Sequence, residues 1–441
     1  MSPNEILAIL TVVSFFTMLM VGVPVAVGLA VSGFVFGYIG FGPLLFNLLP
    51  ARIFGVVSNY TLLAIPLFVF MGVMLEKSKL AEELLDVVGH LSGSMRGGMG
   101  IAIVLVGVLM GASTGIVGAT IVTLGLLTLP ALLRRGYDKG LACGTICASG
   151  TLGQIIPPSL ILLLLADILG ESVGTMFAAA VFPGLILAGL YVLYILATAY
   201  FRPSHAPAIS AEERAALPRR QLYAKLFKVV LPPLLLVVAV LGAIIGGVAA
   251  PTEAASMGAL GAILVCAVSG KLSYALLRDA ARASLSISGM VFLILILSQV
   301  FGLAFRGLGG EKLVEHMFEW APGGVTGSLI FLMLLLFVLG CFLEWIEISY
   351  IAVPLFLPYF IAQDVNLVWL GTLICVNLQT SFLTPPFGWA LFFLKGVAPP
   401  GVTTGDIYRG VVPFVLLQMI GIAIVFLVPG TATWLPAAIG W

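Results

Sequence analysis

Long runs of uncharged residues are the feature that most constrains this chain. Charged residues make up 9% of its 441 positions, and hydrophobic residues make up 61%. Soluble domains average about 25% charged and about 45–50% apolar residues. Apolar runs of about 20 residues can cross the hydrocarbon core of a bilayer. The composition therefore excludes a soluble enzyme and predicts one all-α polytopic membrane protein. The ten predicted spans are 4–21, 23–40, 60–76, 140–170, 184–201, 229–249, 252–268, 284–305, 367–396 and 411–429.

The remaining composition excludes several classes of function. Basic and acidic residues number 20 and 19, so the net charge of +1 predicts no nucleic-acid partner. The five cysteines lie in apolar segments without metal-ligand spacing, and we interpret them as small hydrophobic residues. No P-loop, dinucleotide fingerprint or zinc-protease motif occurs. The segment 111–115 matches G-x-S-x-G, but the three histidines lie in predicted loops or surface segments. We therefore predict neither an enzyme nor a bound cofactor.

Two apolar stretches, 99–133 and 327–361, are too long for one plain span and contain a glycine-rich or polar interruption. If both are re-entrant hairpins, 17 of the 20 basic residues fall on one side of the membrane. The other side then holds only Arg52, Arg306 and Lys312. If either stretch crossed the membrane once, this segregation would be lost. The positive-inside rule thus predicts two hairpins, with both termini on the outer side of the membrane.

Matched spacings indicate an internal repeat. Gly111 lies 46 residues before Pro157, and Gly340 lies 45 residues before Pro385. Both prolines begin a Pro-Pro pair inside a predicted span. Five crossings and one hairpin in each unit invert the second unit relative to the first, which is typical of secondary transporters. The predicted units are 1–202 with hairpin 99–133 and broken helix 140–170, a cytoplasmic linker at 203–228, and 229–441 with hairpin 327–361 and broken helix 367–396.

The Pro-Pro pairs predict broken helices at membrane depth. Two adjacent prolines remove two backbone donors and disrupt the preceding turn. Irregular backbone is tolerated there only where protein or a water-filled cavity satisfies its polar groups. The freed carbonyl groups can bind a small cation, and nearby helix N-termini can hold a carboxylate. We assign substrate binding or gating to polar residues of the breaks and hairpin tips: Thr114, Ser149, Thr151, Glu344, Glu347, Asn377 and Thr380.

Four acidic residues in apolar surroundings have different interpretations. Glu344 and Glu347 lie at the predicted tip of the second hairpin. They could bind a cation, carry a proton or pair with an arginine, or they could only face an aqueous cavity or cap a helix. We interpret Glu253 as a charge that stabilises a helix N-terminus. Asp167 lies toward the outer end of its span, and we expect it to meet water.

Several short motifs, in this order, resemble the large membrane subunit of TRAP transporters (tripartite ATP-independent periplasmic, DctM type). The resemblance covers nearly the whole chain. Each motif is weak alone, and their order and spacing carry the specificity. The motifs include Ile65-Pro66-Leu67-Phe68, Gly97-Gly98-Met99-Gly100, Gly150-Thr151-Leu152-Gly153, Ile156-Pro157-Pro158-Ser159, Thr252-Glu253-Ala254-Ala255 and Thr384-Pro385-Pro386-Phe387-Gly388.

The resemblance implies a fold like that of the ion-transporter superfamily and an elevator-type, sodium-coupled importer of small organic acids in the bacterial inner membrane. It implies two partners, a small four-helix membrane subunit (DctQ type) and a soluble periplasmic substrate-binding protein (DctP type). The second hairpin tip resembles a branch associated with α-keto acids, mannitol and chloroaromatic compounds. By resemblance, one sodium site would use Ser113, Gly153, Ile156 and Pro158, and a second would use Gly340, Ser381, Thr384 and Phe387.

Two alternatives to this function remain open from the residues themselves. One is a proton-coupled carrier or an exchanger that works without a binding protein. The other is a channel in which the polar breaks line a continuous pore. Uptake measured without any periplasmic protein, or conductance without saturable uptake, would distinguish them.

Overall fold

The computed structural model describes residues 2–92, 94–114, 117–210, 219–385 and 388–441, with the backbone alone at 81, 112–114 and 219–221. Every regular element in these ranges is a helix. Eight helices are long and apolar enough to cross a bilayer, and the number rises to ten if each of two bent helix pairs counts as one span. The predicted all-α polytopic fold is therefore confirmed.

The helices follow one another with short connections. In the first half they are Pro3–Met20, Val25–Phe41, Leu44–Val57, Ala64–Lys77, Leu80–Ser92, Gly98–Thr114, Val117–Arg134, Lys139–Thr151, Leu160–Leu169 and Val173–Phe201. In the second half they are Arg219–Lys225, Leu231–Ile245, Pro251–Val268, Tyr274–Gly307, Gly310–Glu319, Gly324–Gly340, Trp345–Glu347, Val353–Ala362, Leu367–Leu383, Trp389–Val397, Thr404–Leu427 and Gly430–Ala438. Two π-helical segments, Leu226–Val230 and Ile348–Ala352, continue directly into the helices that follow them.

The outer surface is apolar, as the low charge content predicts. On helix Pro251–Val268, Leu260, Leu264 and Val268 form a stripe and are 65–69% exposed. An apolar stripe of this kind is costly in water and suits lipid or another membrane helix. The polar residues of the interior concentrate instead at the two predicted breaks, where Ser149, Gln154 and Gln379 are fully buried. The molecule therefore has an apolar exterior that suits contact with lipid, and a polar centre.

Helix Leu44–Val57 was not predicted, because the sequence analysis left residues 41–59 as a connection. Pro50 lies inside this helix, and an internal proline is a strong signal against helix. Tertiary packing overrides that signal, since Leu45 and Leu49 are buried against Val300 of helix Tyr274–Gly307. The helix is bent by 54° relative to the segment Thr61–Lys77 that follows it.

Other boundaries also differ from the predicted spans. Helix Val173–Phe201 begins eleven residues before the predicted span 184–201, because Pro183 is accommodated inside it. Helix Gly310–Glu319 carries several charges and was not predicted, yet Val314 and Phe318 anchor it in the core. The C-terminal helix Gly430–Ala438 was also missed. In the predicted linker 203–228, residues 211–218 lie outside the described ranges, and a helix begins at Arg219.

Helix Leu80–Ser92 is amphipathic, with Leu84 and Leu85 buried. The interpretation of Glu253 as a charge at a helix N-terminus is confirmed. Glu253 caps the start of helix Pro251–Val268, since its carboxylate accepts the backbone N–H of Ala250 at 2.9 Å. All five cysteines are buried and free.

Candidate functional site

The chain reverses direction between helices Gly98–Thr114 and Val117–Arg134, which we call the first hairpin. A Cβ built on Gly107 would lie 2.7 Å from the Cβ of Ser149, and a Cβ on Gly150 would lie 2.3 Å from a side-chain atom of Ile121. Gly107 and Ile121 therefore both lie beside the same turn of helix Lys139–Thr151, at Ser149 and Gly150. In one continuous helix they would be about 21 Å apart. The two helices thus run antiparallel.

The second hairpin, formed by Gly324–Gly340 and the helical segments between Trp345 and Ala362, has the same arrangement. At its base, the hydroxyl of Ser328 lies 3.0 Å from the hydroxyl of Tyr359. At its tip, a Cβ on Gly340 would lie 3.5 Å from the Cδ1 of Ile348. Such contacts between residues 31 positions apart require the chain to turn back.

Each hairpin tip packs against a broken helix at a matched position. A Cβ on Gly111 would lie 2.2 Å from the Cα of Gly153, and a Cβ on Gly340 would lie 2.1 Å from the Oγ of Ser381. Gly153 and Ser381 each precede the first proline of a Pro-Pro pair by four residues. The same contact therefore occurs in both halves of the chain. A side chain at position 111 or 340 would overlap these atoms, so glycine is required at both tips.

The broken helices also begin at matched positions. Asp138 caps helix Lys139–Thr151 by accepting the N–H of Leu141 at 2.9 Å. Asn366 caps helix Leu367–Leu383 by accepting the N–H of Trp369 at 2.8 Å. Each cap lies 19 residues before the first proline of its pair. A short polar side chain at this position satisfies donors that the first helical turn leaves unpaired.

In the first broken helix, the interruption runs from the 3-10 turn Leu152–Gln154 to Ser159 and contains a cis Pro157-Pro158 bond. The N–H of Ile156 donates to the carbonyl of Leu152 at 3.1 Å. Within the described ranges, no backbone N–H donates to the carbonyl oxygens of Ile156 or Pro158. These unpaired carbonyls are hard oxygen ligands of the kind that a small cation prefers.

In the second broken helix, three predicted hydroxyl residues bond back to their own helix. Ser381 donates to the carbonyl of Leu378 at 2.8 Å, and Thr384 donates to that of Thr380 at 2.7 Å. Thr380 makes a longer bond of 3.5 Å to the carbonyl of Val376. Each hydroxyl proton is used in a hydrogen bond, but each hydroxyl oxygen keeps a lone pair that can bind a cation. Phe387 lies outside the described ranges, as do the side chains of Ser113 and Thr114 at the first tip.

The other predicted polar residues divide into paired and unpaired groups. Asn377 donates to the carbonyl of Met333 at 2.8 Å and so attaches the second hairpin to its broken helix. Thr151 donates to the carbonyl of Ala148 at 2.9 Å. Ser149 is fully buried, and its hydroxyl has no hydrogen-bond partner in the described part of the chain. A buried hydroxyl without a partner indicates space for a ligand, an ion or water.

Two glutamines at the centre of the molecule were not among the predicted site residues. Gln154 and Gln379 are both fully buried, and neither amide has a hydrogen-bond partner for its N or O atom among the described residues. Each lies in the polar segment that precedes a Pro-Pro pair, which was the available signal. Leaving such an amide unpaired costs about 1–3 kcal/mol, so a bound polar group is expected beside it.

The two broken helices contact each other through cysteines. The Sγ of Cys147 lies 3.7 Å from the carbonyl oxygen of Ala390, and the Sγ of Cys375 lies 3.4 Å from that of Gln154. Gln379 follows Cys375 by one helical turn and therefore lies on the same face. The two interruptions consequently form one polar centre, with a hairpin tip against each.

The acidic residues of the second tip border a separate cavity of about 590 Å³. Glu347 is 6% exposed, and its carboxylate accepts the backbone N–H of Glu344 at 2.9 Å. Neither acid has a lysine or arginine within ion-pair distance in the described ranges. The structure thus supports two of the interpretations together, because the acids face a cavity and one of them caps a helix.

Asp167 does not simply meet water, contrary to our expectation. Its carboxylate accepts hydrogen bonds from the amide of Asn59 and, at 3.1 Å, from the hydroxyl of Tyr350. Asp167 belongs to the second part of the first broken helix, Leu160–Leu169, whereas Tyr350 belongs to the second hairpin. The surroundings of this carboxylate were misjudged because both of its hydrogen-bond partners are distant in sequence.

Known proteins are similar to this chain in sequence and in fold. Residues 12–431 match the family model of the tripartite ATP-independent periplasmic transporter, DctM component. The C4-dicarboxylate TRAP transporter large permease protein DctM of Pseudomonas aeruginosa is 30% identical over 89% of this chain and 90% of its own length. The isethionate TRAP transporter permease protein DctMQ of Oleidesulfovibrio alaskensis is 29% identical over 94% of this chain and 64% of its own length.

A solved structure has the same fold. The YdaH transporter of Alcanivorax borkumensis matches with a TM-score of 0.63 and 15% sequence identity, over 97% of this chain and 99% of that one. At this identity the likeness concerns the fold alone. The family model matches nearly the whole length of the chain, and this match establishes the family. This chain belongs to the DctM family and is a large permease subunit of a TRAP transporter.

Proposed function

We propose that this permease drives the import of a small organic acid with sodium ions, by an elevator movement. The observation that carries the proposal is the matched contact of each hairpin tip with a broken helix, Gly111 with Gly153 and Gly340 with Ser381. Broken helices at membrane depth place backbone oxygens and helix N-termini beside one ligand site. The family to which the chain belongs consists of secondary transporters rather than enzymes.

Sodium would bind at two sites, one at each break. The residues fit a hard cation, because the carbonyls of Ile156 and Pro158 are unpaired and the oxygens of Ser381 and Thr384 still have free lone pairs. The first site would use Ser113, Gly153, Ile156 and Pro158. The second would use Gly340, Ser381, Thr384 and Phe387.

The substrate would lie between the two sites, within reach of the polar centre. Ser149 offers an unpaired hydroxyl, and Gln154 and Gln379 offer unpaired amides. Hydroxyl and amide groups can donate hydrogen bonds to a carboxylate without adding charge to the membrane interior. We propose an organic carboxylate, such as an α-keto acid, as the cargo. The names of two relatives point to anions, a C4-dicarboxylate and isethionate.

Import would require two further proteins. The family description names a tripartite, periplasmic system of which DctM is one component. We propose a separate four-helix membrane subunit and a soluble periplasmic binding protein as the other two. The inner membrane of a bacterium would hold the complex, with both termini of this chain in the periplasm.

Reconstitution tests this proposal directly. The chain is placed in proteoliposomes with its small subunit, and labelled α-keto acids are offered with the binding protein under an inward sodium gradient. We expect uptake that requires the gradient and the binding protein. Uptake that is equal in potassium would defeat sodium coupling. Uptake that follows a proton gradient would favour the proton-coupled alternative, and conductance without saturable uptake would favour a channel.

A further inference from the structure

A cavity of about 340 Å³ lies apart from the polar centre, between the second hairpin and two other helices. Arg52 comes from helix Leu44–Val57, and Gln299 and Arg306 come from helix Tyr274–Gly307. The opposite wall is the second arm of the hairpin, with Tyr350 and Pro354. This cavity thus adjoins one of the two elements that would gate the substrate site.

The cavity is lined by two arginines on the side of the membrane that is predicted to hold few positive charges. The charge map assigns Arg52, Arg306 and Lys312 to the predicted periplasmic side, and two of these three line the cavity. Among the described residues that line it, the only acid is Glu311, so this lining has a net charge of +1. One carboxylate for two arginines leaves one positive charge that can attract a small anion.

The arginines retain unused hydrogen-bonding capacity. Arg306 donates from Nη2 to the carbonyl of Pro354 at 3.0 Å. Its Nε lies 3.8 Å from a carboxylate oxygen of Glu311 and makes no hydrogen bond within the described ranges. Arg52 is exposed and has no ion pair in that part of the chain. Guanidinium groups bind carboxylates through paired N–H donors, a geometry that lysine lacks.

We propose that Arg52 and Arg306 form an anion-binding vestibule through which the carboxylate of the substrate enters from the periplasm. This inference rests on the proposed function, because it assumes an anionic cargo and the predicted orientation. The vestibule raises the local concentration of small anions next to the second hairpin. Its effect weakens as salt screens the charges.

The first experiment measures the potential in the cavity without using transport. Gln299→Cys introduces a reporter thiol into full-length chain in spheroplasts, where the five native cysteines are buried. Its reaction rates with anionic and cationic methanethiosulfonates are compared. We expect the anionic-to-cationic rate ratio to fall about threefold when Arg52→Gln is added, as expected for losing one nearby unit charge. Lys312→Gln, which removes the third outer charge but does not line the cavity, should leave the ratio unchanged.

Two outcomes of this experiment would overturn the vestibule. An equal ratio in all backgrounds would mean that the arginines set no local potential. A thiol that reacts with neither reagent would mean that the cavity is closed to the outer side.

The second experiment tests for a bound carboxylate. Succinate should protect the reporter thiol from labelling, whereas its uncharged counterpart succinamide should not, and Arg306→Gln should abolish the protection. Equal protection by both compounds, or by neither, would contradict the proposal. These measurements stay informative even if uptake proves independent of sodium, so the vestibule and the coupling mechanism can fail separately.

Discussion

At the scale of single residues, the buried glutamines make the sharpest test of the polar centre. We predict that Gln154→Leu or Gln379→Leu lowers uptake at least tenfold without lowering the melting temperature. Each amide is buried without a partner, and replacing an unpaired polar group by an apolar one of similar shape is neutral or stabilising. Uptake in proteoliposomes and thermal unfolding in detergent would be measured together.

A matched control exists for this prediction. Gln418 is also fully buried, but it lies on helix Thr404–Leu427, beside the hydroxyl of Tyr191 and outside the two breaks. Gln418→Leu should therefore leave uptake near the wild-type rate. If all three variants lose uptake equally, the two glutamines have no special role in transport.

Substitutions of Glu347 distinguish sodium coupling from proton coupling. Gln at this position can still accept the N–H of Glu344, but it cannot carry a proton. We predict that Glu347→Gln keeps sodium-driven uptake, whereas Glu347→Ala loses the cap and destabilises the fold by about 1 kcal/mol. Uptake would be measured under separate sodium and proton gradients. Loss of uptake in Glu347→Gln despite a normal melting temperature would favour the proton-coupled carrier.

At the scale of elements, the tip contacts differ between the two halves in a way that predicts a rescue. A Cβ on Gly340 would meet the side chain of Ser381, whereas a Cβ on Gly111 would meet the backbone of Gly153. We predict that Gly340→Ala abolishes uptake and lowers protein yield, and that adding Ser381→Gly restores the yield but not the uptake, because the proposed second sodium site needs the Ser381 hydroxyl. Gly111→Ala should abolish uptake as well. Position 153 is already glycine, so no second substitution there can make room for the added methyl group.

Initial uptake rates and protein yield would be compared across these variants. Full activity of Gly340→Ala alone would show that the tip does not need this close approach. A double variant that folds but stays inactive would indicate a direct role for the Ser381 hydroxyl, as the second sodium site proposes.

The sequence predicted some elements better than others, for physical reasons. The charge distribution and the matched Pro-Pro pairs predict chain reversals and helix interruptions because they compare segments that are far apart in the chain, which local helix propensity cannot do. Helix Leu44–Val57 was missed because Pro50 opposes helix locally and burial of Leu45 and Leu49 overrides it. The start of Val173–Phe201 was misplaced for the same reason at Pro183.

The candidate site was less accessible to sequence reasoning. Residue types could mark the breaks as polar, but they could not tell a satisfied side chain from an unsatisfied one. Asn377 proved to be bonded to Met333, whereas Gln154 and Gln379 proved to be unpaired. Asp167 was misread because its partners Asn59 and Tyr350 are more than 100 positions away in the chain.

At the scale of the whole molecule, an elevator needs one set of helices to slide past another. The hairpins and broken helices contact one another closely and would move together. Asn59 lies between helices Leu44–Val57 and Ala64–Lys77 and belongs to the remaining, supporting set. Its hydrogen bond to Asp167 therefore joins the two proposed bodies, and each transport cycle would have to break it.

We predict that cross-linking these two positions stops transport reversibly. Asn59→Cys and Asp167→Cys would be joined by a short mercurial cross-linker in proteoliposomes, and uptake should fall at least tenfold and return when excess free thiol removes the mercury. The pair Ser328→Cys and Tyr359→Cys, inside the second hairpin, should tolerate the same cross-link because both residues would move together. Continued uptake with the first pair fully cross-linked would mean that no sliding occurs at this contact, and the elevator would have to be abandoned for a mechanism confined to the hairpin tips.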